Sequence, residues 1–125
     1  MKPDIQFHIR DQHHGAELAI GPGKVALLEA IAETGSITSA ARKLGMSYRR
    51  AWILVDETNR CLIGPAVQTA AGGKRGGGTS LTPVGAELVR RYRRVERKAE
   101  AAVARNLNSL LRGLGRASPR RSRDR

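Results

Sequence analysis

The stretch GSITSAARKLGMSYRRAWILVDETNR, residues 35–60, decides the fold. It reads as two short helices joined by a tight turn, the second led by arginines. Ser36 can cap the first helix, whose inward residues are expected to be Ile37, Ala40, Ala41 and Leu44. Gly45 then supplies the turn and Met46 plugs it. Ser47 caps a second helix that opens Tyr48-Arg49-Arg50 and runs to about Arg60. Small Ala41 and permissive Gly45 are what a close helix crossing requires. Bulk at Ala41 would hold the helices apart, and a β-branched residue at Gly45 would resist a left-handed turn. This is the pattern of a helix-turn-helix, whose second helix normally enters the major groove of DNA.

Upstream, Asp4 to Arg10 alternates Ile5, Phe7 and Ile9 with polar neighbours, which predicts a strand. A polar turn around Gln12–Gly15 and a second strand over Ala16–Ile20 follow. Gly21-Pro22-Gly23 is read as a break, with a helix over residues 24–34 that buries Leu27, Leu28 and Ile31 and stops at Gly35. Downstream, Ala66–Ala70 and Thr79–Leu81 are the arms of a hairpin around residues 71–78, which are too glycine-rich to be helical. Thr82 with Pro83 behind it starts a long helix over residues 83–112. Its apolar positions Leu88, Tyr92, Val95, Ala99 and Ala102, extended by Val103, Leu107, Leu110 and Leu114, form a seam longer than one small core needs. Pairing with a second copy of the chain is the expectation.

The order is strand-strand, helix, helix-turn-helix, hairpin, long helix. The expected fold is therefore a mainly α, small-β winged helix-turn-helix with an N-terminal β-hairpin, a wing and a C-terminal dimerisation helix. One domain over residues 1–114 and a disordered basic tail over 115–125 account for the whole chain.

A formal net charge of +12 on 125 residues is large, though charge alone does not separate a polyanion partner from mere solubility. Its distribution is more telling. Residues 1–23 are close to neutral, whereas residues 90–125 are strongly basic. The single Cys61 excludes an intrachain disulfide framework. No apolar run approaches the ~20 residues of a membrane span, and no signal-peptide core is present. A cytoplasmic, nucleoid-associated protein with no membrane partner is the expectation.

Ser47, Tyr48, Arg49 and Arg50 are the best candidates to reach base edges, because only the N-terminal end of a recognition helix enters deeply. Arginine can donate two parallel hydrogen bonds to guanine, and the plainer role for either arginine is phosphate neutralisation. Trp52 could intercalate or stack on bases, but its spacing puts it in the core, sharing a face with Tyr48, Ala51, Val55 and Thr58. Arg49, Arg50, Ile53, Asp56, Glu57 and Arg60 fall largely on the other face. Tyr48 can pack inward or offer its hydroxyl to a phosphate. Ser36, Thr38, Arg42 and Lys43 on the first helix, and Lys74 and Arg75 at the wing tip, are candidate backbone contacts. The glycine-rich loop is no phosphate loop, for it lacks Gly-Lys-Ser/Thr before a helix; mere flexibility is its other reading. His8, His13 and His14 lack ligand spacing, so neither a metal nor a cofactor is expected. No nucleophile–base pair or carboxylate pair supports an enzyme.

Together these residues resemble the N-terminal DNA-binding domain of ModE, the bacterial molybdate-responsive transcriptional regulators. The resemblance is carried by Leu27-Leu28, Ala30-Ile31, residues 33–37, Ala40-Ala41, Gly45, Ser47-Tyr48, Ala51-Trp52, Glu57 and Asn59. It continues through Ala71-Gly72-Gly73-Lys74, Gly76-Gly77-Gly78, Leu81-Thr82 and Gly85, over about residues 5–105. It implies a homodimeric winged helix on a palindromic duplex operator. Members that sense molybdate directly carry further C-terminal domains, for which the 11 residues after Leu114 leave no room. The expectation is a stand-alone DNA-binding form, with sensing left to a separate protein or lost. A sequence-tolerant architectural DNA coater, or a module docking a separate sensor, are the alternatives.

Overall fold

A computed structural model describes residues 5–13, 16–70 and 78–115, with residues 11–13 and 16–18 given by backbone alone. The order is β1 (Ile9–His13), β2 (Ala16–Ile20), α1 (Pro22–Thr34), α2 (Ile37–Leu44), α3 (Tyr48–Cys61), β3 (Val67–Thr69), β4 (Thr79–Leu81) and α4 (Pro83–Leu114). Each strand pair is an antiparallel hairpin of its own, β1 with β2 and β3 with β4. This is the winged helix-turn-helix expected from the sequence. The described residues fall into two compact units, one of residues 6–94 and one of Ile5 with residues 95–115.

In the first unit α1, α2 and α3 enclose a core of Leu27, Leu28, Ile31, Ile37, Ala40, Ala41, Ala51, Leu54 and Val55. The α2–α3 turn forms as its residues dictate. Ser36 Oγ accepts the Ser39 amide at 3.0 Å, and Ser47 Oγ accepts the Arg50 amide at 3.0 Å, so each helix begins on a side-chain cap. Gly45 closes α2 at φ 70°, in the left-handed region that glycine enters without steric cost.

Four expectations are corrected. Pro22 does not break the chain but opens α1 at its first position behind Gly21, where a missing N–H is no loss. The predicted strand over Asp4–Arg10 is instead a strand over Ile9–His13. Residues 5–8 alternate inward and outward as an extended chain, yet hold no described strand partner. Leu44 is 37% exposed, because α2 ends there and its side chain lies at the rim beside Glu33 and Lys43. The upstream arm of the wing is shorter than residues 66–70, being Val67–Thr69. The predicted turn at His14 and Gly15, the loop over 71–77 and the tail from 116 lie outside the described residues.

A second, smaller cluster joins Ile20, Val25 and Tyr92, with Phe7, Ile9 and Cys61 packed against it. The Tyr92 ring stacks on Phe7 at 4.3 Å between centroids, and its hydroxyl donates to the Phe7 carbonyl at 2.7 Å. Arg93 grips Glu29 of α1 with two hydrogen bonds of 3.0 and 2.7 Å. These contacts seat the first turns of α4 on the helical core.

The wing is fastened at its base. Thr82 Oγ1 donates to the Pro65 carbonyl at 2.6 Å and accepts the Gly85 amide at 3.1 Å, serving the loop and capping α4 at once. Gly85 lies so near the wing that a Cβ there would stand 2.2 Å from the Ala66 carbonyl oxygen. That neighbour is backbone and cannot swing aside. Gly85→Ala is therefore expected to cost about 1–3 kcal/mol of folding stability, read as a lower thermal midpoint against Gly113→Ala, whose Cβ meets nothing within 4 Å.

In the second unit α4 continues from Val95 to Leu114, and several of its large apolar residues are exposed while Leu107 is half-buried. Val95 is 50% exposed, Leu110 48% and Leu114 81%. No described helix is long and apolar enough to cross a membrane.

Candidate nucleic-acid interface

α3 buries Ala51, Leu54, Val55 and Thr58, a line of residues three and four apart. Trp52 is not among them. It is 42% exposed, against the expectation of a core residue, and Tyr48 is 52% exposed. The reason is local. Residues 51–55 (Ala-Trp-Ile-Leu-Val) are all apolar, and the helix buries Ala51, Leu54 and Val55, leaving the indole and Ile53 on the outer side. The two rings meet edge to face with centroids 6.3 Å apart.

Counting about 3.6 residues per turn sorts the outer surface of α3. Arg49 and Ile53 fall opposite the buried line. Tyr48 and Trp52 lie to one side, where with Ser36, Thr38, Thr69 and Thr79 they line a shallow groove of about 220 Å³ against the wing. Arg50 lies to the other side, on a depression of about 530 Å³ shared with His8, Arg10 and Lys24 below the N-terminal hairpin. The two arginines, equivalent in sequence, therefore face different surroundings.

The candidate residues are thus partly gathered. Ser36, Thr38 and Tyr48 share one groove, while Ser47 and Arg49 stand exposed at the α3 start. Arg42 and Lys43 are exposed at the end of α2. Lys43 is engaged by Glu33 across the α1–α2 groove, which leaves it less free than Arg42. Lys74 and Arg75 lie outside the described residues. Sequence reasoning placed Ile53 correctly on the outer face with Arg49, but missed Trp52 as a surface residue, and Arg10, Thr69 and Thr79 as neighbours of the face. The strand pattern gave no sign that Arg10 would come near Arg50.

Charge at this face is unbalanced. Among the described residues no carboxylate pairs with Arg42, Arg49 or Arg50, as is also true of Arg94, Arg97, Lys98, Arg105 and Arg112 on α4, whereas several other cations are engaged. Arg90 and Arg91 bind Glu87, and Arg60 binds Asp56. The Arg91 hydrogen bond, aided by Arg90, holds the Glu87 carboxyl below its usual range. Lys24 is 13% exposed, donates to the Ala19 carbonyl at 2.7 Å and faces Glu57 at 3.3 Å.

Asn59 links α3 to the wing. Its Oδ1 accepts the amides of Ala66 at 2.8 Å and Val67 at 3.2 Å, both residues being buried. One side chain thus fixes where β3 leaves the core, and so the spacing between α3 and the wing.

A bundle of three helices with an exposed, arginine-led second helix of the turn and a hairpin fastened beside it defines a winged helix-turn-helix domain. No protein-family model matches the chain. Individual relatives do. The chain is 46% identical over 95 residues to the molybdenum-pterin-binding protein MopB of Rhodobacter capsulatus, covering 76% of this chain and 34% of that protein. It is 47% identical over 73 residues to the molybdenum transport protein ModE of Herbaspirillum seropedicae, covering 58% of this chain and 27% of that one. It is 36% identical over 109 residues to the DNA-binding transcriptional dual regulator ModE of Escherichia coli K12, covering 82% and 42%. The chain is the counterpart of the N-terminal region of these ModE and Mop proteins, and spans less than half of their length.

Asn59→Ala would leave two buried amides without an acceptor, a loss of about 1–3 kcal/mol. Faster hydrogen exchange at Ala66 and Val67, with the α1 amides unchanged, is the expected result.

Proposed function

We propose that the chain is a ModE-like, sequence-specific DNA-binding transcriptional regulator that acts in the cytoplasm as a homodimer on a palindromic operator. The observation that carries this reading is the first turn of α3: capped by Ser47, led by Arg49 and Arg50, exposed, and without a described carboxylate partner. Such a turn can enter a major groove with its charge unspent. The relative in Escherichia coli is named a DNA-binding transcriptional regulator, and others are named for molybdenum transport or binding. A role in the control of molybdenum or oxyanion metabolism follows by relationship.

Arg49, on the outward line of α3, reads a base edge. Arg50, beside Arg10 and Lys24, holds a phosphate on the hairpin flank. Thr38, Ser36 and Arg42 on α2, together with Lys74 and Arg75 of the wing, add backbone contacts. The basic tail past Leu114 supplies a salt-sensitive, sequence-independent share. The exposed seam of α4, from Val95 to Leu114, is covered by the same seam of a second copy.

Selection of bound fragments from a random duplex pool is expected to enrich an inverted repeat. A pool returned without a motif would instead mark a sequence-tolerant coater. On the selected duplex, Arg49→Ala should lower the ratio of specific to non-specific affinity by about 5- to 150-fold, a good bidentate contact being worth about 1–3 kcal/mol. Arg50→Ala should weaken both affinities alike. An unchanged ratio for Arg49→Ala in a gel-shift titration would refute the assignment.

Light scattering is expected to give a dimer for the full chain and a monomer for Leu110→Arg with Leu114→Arg. A wild-type monomer would favour the other occupant of the seam, a separate sensor protein.

A further inference from the structure

A purely ionic surface leaves part of α3 unexplained. The chain has one Trp, two Tyr and one Phe. Phe7 and Tyr92 are spent on packing, whereas Tyr48 and Trp52 stand exposed on the first two turns of α3. Ile53, next to Trp52, is 39% exposed. Three large apolar side chains therefore adjoin Arg49 on the very turns that enter a groove. Exposed apolar surface of this kind, bordered by cations, is a contact surface in waiting.

Its chemistry selects among the features of a base-pair edge. In the major groove every polar position is a donor or an acceptor, and the single apolar feature is the C5-methyl group of thymine. Ile53 follows Arg49 by one helical turn on the outward line, so both face the groove floor. Trp52 follows Tyr48 by one turn on the wing side, and the Tyr48 ring against its edge restricts where the indole can go. A second copy of the chain fits this face poorly. Two such surfaces would bring Arg49 and Arg50 of each copy together, and the nearby carboxylates of α3 are already engaged, Asp56 by Arg60 and Glu57 by Lys24, whereas a polyanion neutralises the arginines.

We propose that Trp52 and Ile53 are specificity residues that contact thymine methyl groups in the major groove, beside the base contact of Arg49. The proposal rests on the DNA-reading function above and adds to it the base class that the apolar side chains recognise. Both side chains are peripheral to the core, so replacing them with alanine leaves the line Ala51, Leu54, Val55 and Thr58 intact.

The test replaces each thymine of the selected duplex in turn by deoxyuridine, which removes the methyl and keeps the pairing. Wild-type protein should lose about fourfold in affinity at one or more positions, the equivalent of about 0.8 kcal/mol per buried methyl. Trp52→Ala or Ile53→Ala should bind thymine and deoxyuridine duplexes alike at those positions, with its affinity for random duplex unchanged. The proposal is overturned if no position responds, or if the response persists in both variants. It is equally overturned if Trp52→Ala abolishes the dimer in light scattering, which would assign the indole to a copy–copy contact. A pool that yields no motif removes the parent reading; a motif whose thymines do not matter removes this inference alone.

Discussion

Ala40, Ala41 and Ala51 set how near the second and third helices can come, and almost everything on the outer face follows from that distance. All three are at most 2% exposed and belong to one core cluster. With only methyl groups there, the α2 and α3 backbones approach closely, and Gly45 turns the chain at φ 70° to allow it. The consequence is directional. α3 rests on Ala51, Leu54, Val55 and Thr58, and that seating leaves Arg49, Trp52 and Ile53 on the outer side.

The wing depends on a second close approach, between Gly85 of α4 and the Ala66 carbonyl. Asn59 and Thr82 surround that contact with hydrogen bonds to residues 65–67, so the hairpin leaves the core at a defined point. Both approaches work by removing side-chain atoms, which is why they are costly to alter and cannot be recovered by repacking.

Much of this was legible in the sequence, and the reasons are physical. Caps and turns are local events, so Ser36, Ser47, Thr82 and Gly45 could be read from their immediate neighbours. Faces and pairings are not local. The run from Ala51 to Val55 is apolar throughout and satisfies more than one helical face, so periodicity alone could not say that Trp52 lies outside. Alternation at Ile5, Phe7 and Ile9 correctly reports an extended chain, yet pairing needs a second strand in register, and that begins only at Ile9. Gly21-Pro22-Gly23 looks like an interruption, although proline is suited to a first helical turn. The different surroundings of Arg49 and Arg50 were invisible, because they depend on Arg10 and Lys24 arriving from elsewhere in the chain.

Thr82 has one more implication. Its hydroxyl is shared between the loop carbonyl of Pro65 and the opening turn of α4, while Asn59 ties the next two residues to α3. The hairpin base, α3 and the opening turn of α4 thus share one anchorage at residues 65–67, so the loss of either side chain would loosen a junction common to all three.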